Sequence, residues 1–303
     1  MTPDFAAQAW GQPARAPRLI AERENAVYEL WLQDGRHLAL RRHRQNYQSA
    51  EAVAAELSWT YGLSQQGFPC PAPCPTQDGT YFTETPDGAL WSAVAWLAAS
   101  PLEDANPEKF RQLGALIARL HATSDGLDLP LLPRPEWDIT SFCCSDTPIW
   151  GRFWENPSLS PSEADRLSQA RQDLQDRLSD LQQLDKGLIH GDLLPDNILQ
   201  GADGLHIIDF DDGGYGYRLY DLATALIQHL DHPDYPALQE ALCQGYGQER
   251  GWDPAQFAPL PLFLLCRALA SAGWVIGRLP ATDPKCRAYA KRALNLSARV
   301  LGV

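Results

Sequence analysis

The hydrophobic residues of this chain change their period partway along. In AVYELWL (26–32) and RHLALRR (36–42) apolar and polar residues alternate, which gives an extended strand one apolar face. Asp34-Gly35 between them is a dipeptide that tight hairpin turns favour. TYFTE (80–84) and LWSAVAWL (90–97) repeat the alternation around Pro86-Asp87-Gly88. One helix interrupts these strands, in QSAEAVAAELSWTYGLSQQG (48–67), where Val53, Leu57 and Tyr61 recur every fourth residue. From Pro107 onward the spacing is helical: Phe110, Leu113, Ile117 and Leu120 share one face, and Leu167, Leu174, Leu178 and Leu181 form another stripe. Segments 219–230, 235–247, 256–278 and 283–300 read the same way. A short β region, GLIHGDL, NILQ and LHIIDF, lies among the helices. The pattern predicts an α+β chain with two lobes. Residues 1–97 form a small antiparallel sheet with one helix, residues 98–303 a larger helical lobe, and a cleft opens at a hinge near residues 94–100.

Composition limits what such a chain binds. The 303 residues carry a net charge of −13, which argues against a broad nucleic-acid-binding face. The lysines are Lys109, Lys186, Lys285 and Lys291, so any cationic anchor in the first hundred residues is an arginine. The start, MTPDFAAQAW, lacks a basic segment followed by an apolar run and so does not read as a signal peptide. The longest apolar stretch, PLPLFLLCRALASAGWVIG, is interrupted by Arg267 and two prolines and is too short to span a bilayer. The cysteines, Cys70, Cys74, Cys143, Cys144, Cys243, Cys266 and Cys286, are odd in number and lack zinc-finger spacing. Free thiols in a cytoplasmic protein with no nucleic-acid or membrane partner are the expectation.

The chemistry concentrates in LIHGDLLPDN (188–197). His190, Asp192 and Asn197 form H-x-D-x-x-x-x-N, and Asp209 follows in IIDF after a predicted strand. Carboxylates this dense repel one another, and a bound divalent cation is the ordinary reason to place them together. The order strand, polar loop, strand, Asp-Phe is that of a phosphoryl-transfer cleft. There one carboxylate accepts the proton of an attacking hydroxyl, while an amide and a second carboxylate hold a metal.

HGDLLPDNIL…IIDFDDGGYGYRLYDLA resembles the aminoglycoside phosphotransferase/choline kinase-like family, a branch of the protein-kinase-like fold. The resemblance covers nearly the whole chain, and it implies ATP as donor, Mg2+ as cofactor and a hydroxyl as acceptor. By matching position it implies Asp192 as catalytic base and Asn197 and Asp209 as metal ligands. His190 then braces the loop and Asp221 of YDLA supports it. In the N-terminal lobe it implies a cation on the third strand paired with a helix glutamate. Arg41 or Arg42 takes the usual lysine position, and Glu56 is the partner. ERENAVYEL becomes the hairpin over the phosphates, with backbone around Asn25 and Ala26 in reach, and the adenine lies against the hinge strand from Val94 through Ala95 to Leu97.

Other residues keep two readings. Asp211 and Asp212 bind substrate, extend the metal site or cap a turn. Arg267 and Trp274, on one helix face, line the acceptor pocket or face the core. His121 reads as packed or capping, and Asp196 as a solvated loop residue. The acceptor classes that the resemblance implies are homoserine, amino alcohols, sugars and aminoglycosides. A protein serine or threonine side chain is the alternative acceptor, and an inactive ATP-binding regulator is a third reading.

Overall fold

The computed structural model describes residues 2–303 apart from 23, 24, 46, 145, 147, 182 and 183. Helix α1 (Pro3–Ala7) precedes strands β1 (Arg18–Glu22), β2 (Ala26–Trp31) and β3 (His37–Arg42), helix α2 (Ala50–Gln65), and strands β4 (Phe82–Glu84), β5 (Leu90–Ala95) and β6 (Ser100–Pro101). Then come α3 (Pro107–Asp125), β7 (Glu136–Trp137), α4 (Pro161–Asp180), β8 (Lys186–Ile189), β9 (Ile198–Gly201), β10 (Gly204–Ile207) and β11 (Gly214–Tyr217). Helices α5 (Arg218–Leu226), α6 (Tyr235–Arg250), α7 (Leu260–Trp274) and α8 (Pro284–Leu301) complete the chain.

These elements form two compact units. The first comprises 1–102, 126–134 and 196–211, and the second 103–125, 135–195 and 212–303. Beyond residues 1–97 the first unit takes in 98–102, 126–134 and 196–211, the last of which carries the β9–β10 hairpin. The reason is backbone pairing. Ile207 N–H donates to Pro69 O at 3.0 Å, Leu102 N–H to Ile198 O at 2.9 Å, and β6 pairs with β9.

In the first unit the strand order is β1-β2-β3-β5-β4, with every pairing antiparallel. The alternation read from the sequence becomes its two faces. Leu30, Leu38, Leu40, Trp91 and Ala93 bury one side together with Trp10 from the end of the N-terminal segment. Ser49 caps α2 by accepting from Ala52 N–H at 3.2 Å, satisfying a first-turn donor that the helix cannot use. Val53 and Leu57 are buried as expected, but Tyr61 is exposed and its ring packs on Tyr81. Trp59 and Leu63 bury instead, so the face turns away from the four-residue stripe.

The second unit is largely helical. Ser160 and Glu163 make a reciprocal capping box at the start of α4, and Leu167, Leu174 and Leu178 bury its apolar stripe. α3 and α6 pack closely because Gly114 and Gly245 sit where they meet. A Cβ on Gly245 would come within 1.9 Å of Arg111 O. Pro254–Trp274 is long and apolar enough to cross a membrane by length and composition. Its helix α7 buries Phe263, Leu264, Leu265, Ala268 and Leu269 among α5 and α8, as a core helix does. Strand β11 lies between β7 and β8 in a short third sheet that ends at the His190 loop.

Candidate active site

The loop after β8 is built around Asp221. This carboxylate is fully buried on α5. Its Oδ1 accepts from Gly191 N–H at 2.8 Å, and its Oδ2 accepts from His190 N–H at 2.8 Å and His121 Nε2 at 3.0 Å. Burial works against its charge, yet the His121 hydrogen bond and the other donors hold its pKa below the ordinary carboxylate value. His121 is fully buried and its pKa is pushed down to about 4, by burial first and then by Arg218. The imidazole is therefore neutral. The network assigns its proton to Nε2, facing Asp221, while Nδ1 accepts from the Tyr246 hydroxyl at 2.9 Å.

Held this way, the loop turns sharply. Gly191 has φ +79°, and a Cβ there would meet Asp212 O at 2.8 Å and the Trp137 ring at 3.2 Å. Glycine at the middle of His-Gly-Asp is thus a steric requirement. The His190 ring lies beneath the loop and its Nδ1 accepts from Asp192 N–H at 3.2 Å. Asp192 projects a carboxylate that is 24% exposed, with Arg267 Nη2 at 2.7 Å from Oδ1. Burial opposes the charge of Arg267, but Tyr220 and Asp192 beside it raise its pKa, and it stays cationic. Asp212 lies in this unit as well, and its carbonyl accepts from Trp137 Nε1 at 2.9 Å. Trp274 sits at the end of α7 with the Arg278 guanidinium 5.6 Å from its ring centre. Cys266 and Leu269 of α7 line an apolar hollow with Phe142, Ile149, Trp150 and Phe153.

The first unit gathers a second set of groups. In the β9–β10 hairpin Ile198 pairs with Ile207, and Ile208 N–H donates to Asn197 O at 3.0 Å. The register therefore brings the Asn197 amide and Asp209 to the open end of one hairpin. Asp209 has φ +64°, a left-handed conformation that few non-glycine residues adopt. Its Oδ1 accepts from Arg41 Nη1 at 3.1 Å, while Arg41 Nη2 donates to Glu56 Oε1 at 2.5 Å. Arg41 thus bridges two carboxylates. Arg42, on the opposite face of β3, lies 5.9 Å from the Trp91 ring centre and 3.8 Å from Asp87. Side-chain direction separates the two arginines: Arg41 faces Glu56. Burial works against the Arg41 charge, but Glu56, Asp211 and Asp209 raise its pKa, and it stays cationic.

Asn25 Nδ2 donates to Asp211 Oδ2 at 3.2 Å, and Asn25 Oδ1 accepts from Arg44 N–H at 3.0 Å. Residues 23 and 24 of the expected phosphate-covering hairpin lie outside the described residues. At the hinge strand, Ala95 N–H donates to Ala72 O at 2.9 Å and Trp96 N–H to His37 O at 3.1 Å, and Leu97 is half-buried beyond the strand end. Asp196 is exposed.

Against known proteins, the profile of the phosphotransferase enzyme family matches residues 17–260. The chain belongs to that family. A homoserine kinase of Gluconobacter oxydans is 30% identical over 230 residues, which is 72% of this chain and 69% of the relative. An amicoumacin kinase of Bacillus subtilis is 25% identical over 292 residues, 88% of this chain and 82% of the relative. The solved structure of a microcompartment-associated aminopropanol kinase superposes with a TM-score of 0.86 at 27% identity, covering 99% of this chain and 96% of that one. The α+β kinase-like fold and a phosphotransferase activity are thereby established.

Two groups in this phosphotransferase carry no sequence signal. Arg134 lies in a connecting segment between α3 and β7. It is buried, donating from Nη1 to Ala52 O at 3.0 Å and from Nη2 to the carbonyls of Phe210 and Asp211. His43, just past β3, is buried with its Nε2 at 2.9 Å from Ser92 Oγ. Neither lies in a motif or at a helical or strand period that marks it as more than a core residue.

Proposed function

We propose that this phosphotransferase moves the γ-phosphoryl group of ATP, with Mg2+, to a hydroxyl of a small metabolite. The observation that carries this reading is the state of Asp192: a partly exposed carboxylate on a loop held by two backbone hydrogen bonds to one buried aspartate, which His121 bonds from α3. Such a group is positioned to accept the proton of an attacking hydroxyl and orient its oxygen. Arg267 Nη2 donates to one oxygen of this carboxylate and orients it. His190 and Asp221 act through the loop and touch no substrate in this reading.

Asn197 and Asp209 offer hard oxygen donors at one hairpin end, which fits Mg2+. When bound, the ion offsets charge on the nucleotide phosphates. Arg41, steadied by Glu56, presents the one cation of β3 turned toward the carboxylates, and we assign it to the α- and β-phosphates. Arginine keeps its charge at any working pH and donates from both arms, so the replacement of lysine is compatible with phosphate binding. Asn25, Ala95 and Leu97 are assigned to the nucleotide by their place on the sheet. Free thiols at six described cysteines support a reducing, cytoplasmic setting.

The acceptor proposed is an amino alcohol. Homoserine and aminopropanol, named in the relatives above, both carry a hydroxyl and an amine. The test is ADP release from Mg2+–ATP across homoserine, short amino alcohols, sugars, aminoglycosides and a generic protein, with Asp192→Asn as the blank. A rate on an amino alcohol that Asp192→Asn loses supports the reading. Phosphate appearing on protein alone overturns the acceptor assignment, and turnover undiminished in Asp192→Asn overturns the base assignment.

A further inference from the structure

In the first unit, three buried side chains from different segments come together, each with one polar atom left without a partner. They are His43 beyond β3, Glu56 on α2 and Asp211 beyond β10. One ligating atom from each lies within 4.8 Å of the others. His43 Nδ1, Glu56 Oε2 and Asp211 Oδ1 have no hydrogen-bond partner among the described residues. The other polar atom of each side chain is occupied. His43 Nε2 lies against Ser92 Oγ, Glu56 Oε1 accepts from Arg41, and Asp211 Oδ2 accepts from Asn25.

That division has a chemical consequence. The Ser92 hydroxyl can bond either tautomer of His43, and the tautomer that serves a cation carries its proton on Nε2 and gives it to Ser92 Oγ. That tautomer leaves a lone pair on Nδ1. The imidazole is neutral, because burial, Arg41 and Arg134 hold its pKa well below the usual histidine value. In that tautomer three acceptors without partners lie in one buried cluster, and a single cation would satisfy all three at once. The charges point the same way: Glu56, Asp209 and Asp211 set against Arg41 and Arg134 leave one negative charge over.

We propose that His43, Glu56 and Asp211 bind a divalent cation through one imidazole nitrogen and two carboxylate oxygens. This donor set suits an ion of the Mn2+ or Zn2+ kind. The Ser92 contact to His43 and the Arg41 contact to Glu56 are the outer-shell bonds that such ligands ordinarily have. The ion ties β3, α2 and the segment after β10 together within the first unit and fixes the carboxylate that orients Arg41. It is a separate site from Asn197 and Asp209, and it needs neither nucleotide nor acceptor.

The experiment is Mn2+ binding to the chelator-treated full chain without nucleotide, read by equilibrium binding and by pulsed EPR for 14N coupling. Binding of one Mn2+ per chain with a directly coordinated nitrogen is expected, displaced by Zn2+. His43→Gln should lose the nitrogen coupling, and Ser92→Ala should weaken binding about ten- to a hundredfold. Asp209→Asn should retain the coupled ion, which separates this site from the all-oxygen pair assigned to Mg2+. Absence of nucleotide-independent binding, or bound Mn2+ with no nitrogen coupling in the wild-type chain, overturns the proposal. The wild-type spectrum decides this even if the variants do not fold.

Discussion

Replacing Asp221 by asparagine tests the architecture of the His190–Asp192 loop most directly. Asp221 receives three hydrogen bonds in a site fully shielded from water. Asparagine keeps one oxygen and substitutes an NH2 group for the other. With the oxygen in the place of Oδ2, the His190 and His121 donors keep an acceptor but lose its charge. A hydrogen bond to a charged group contributes about 1.5–3 kcal/mol and a neutral one about 0.5–1.5 kcal/mol, so each weakens by about 1 kcal/mol. The NH2 group then faces Gly191 N–H, donor against donor, and a stranded buried donor costs about 1–3 kcal/mol. The total is about 3–5 kcal/mol, in the range for breaking a buried charged network. Urea unfolding followed by circular dichroism and tryptophan fluorescence measures it. Asp196→Asn, on the exposed side of the same loop, serves as control and should stay within about 0.5 kcal/mol of wild type. A loss under about 1 kcal/mol for Asp221→Asn, with an unchanged urea slope, would refute the reasoning that this aspartate organises the loop.

Gly191→Ala should destabilise the chain by about 1–3 kcal/mol through its left-handed φ and the approach to Asp212 O, with a matching loss of turnover, measured by urea unfolding and ADP release. Arg41→Lys keeps the charge but cannot reach Glu56 and Asp209 with two arms, so kcat/KM for ATP should fall about tenfold or more, read from initial rates. His121 titrates at about 4 when folded and near its ordinary value of 6.5 when unfolded. The unfolded chain binds more protons between those values, so stability rises with pH across that window and is lost as pH falls through it. Urea midpoints at pH 4.5 and 7 should show this slope, and His121→Asn should flatten it. Gly245→Ala should lower stability by about 1–3 kcal/mol in thermal unfolding, because its Cβ meets backbone on α3.

Much of this protein follows from local order in the chain. The period-2 runs became β2, β3, β4 and β5, and the period-3.6 runs became α3 through α8, because alternation and helical spacing act over a few residues. His190, Asp192 and Asn197 were legible for the same reason, since a loop between two short strands fixes their spacing. Strands β1, β7 and β11 were not legible. β1 is exposed along its length and carries no alternation, while β7 and β11 are too short to show one. The site's supports lay beyond the sequence as well. Arg267 meets Asp192 across 75 residues, His121 meets Asp221 across 100, and Arg134 reaches Asp211 across 77. No local preference encodes such contacts. Arg41 and Arg42 are neighbours with the same chemistry, and only the pleat of β3 against β5 and α2 decided which faces Glu56. The chain alone supplied the groups on which the proposed phosphoryl transfer draws. Packing decided which of them are buried, which are paired and which polar atoms are left without a partner, because burial turns a contact distant in sequence into a requirement for a partner.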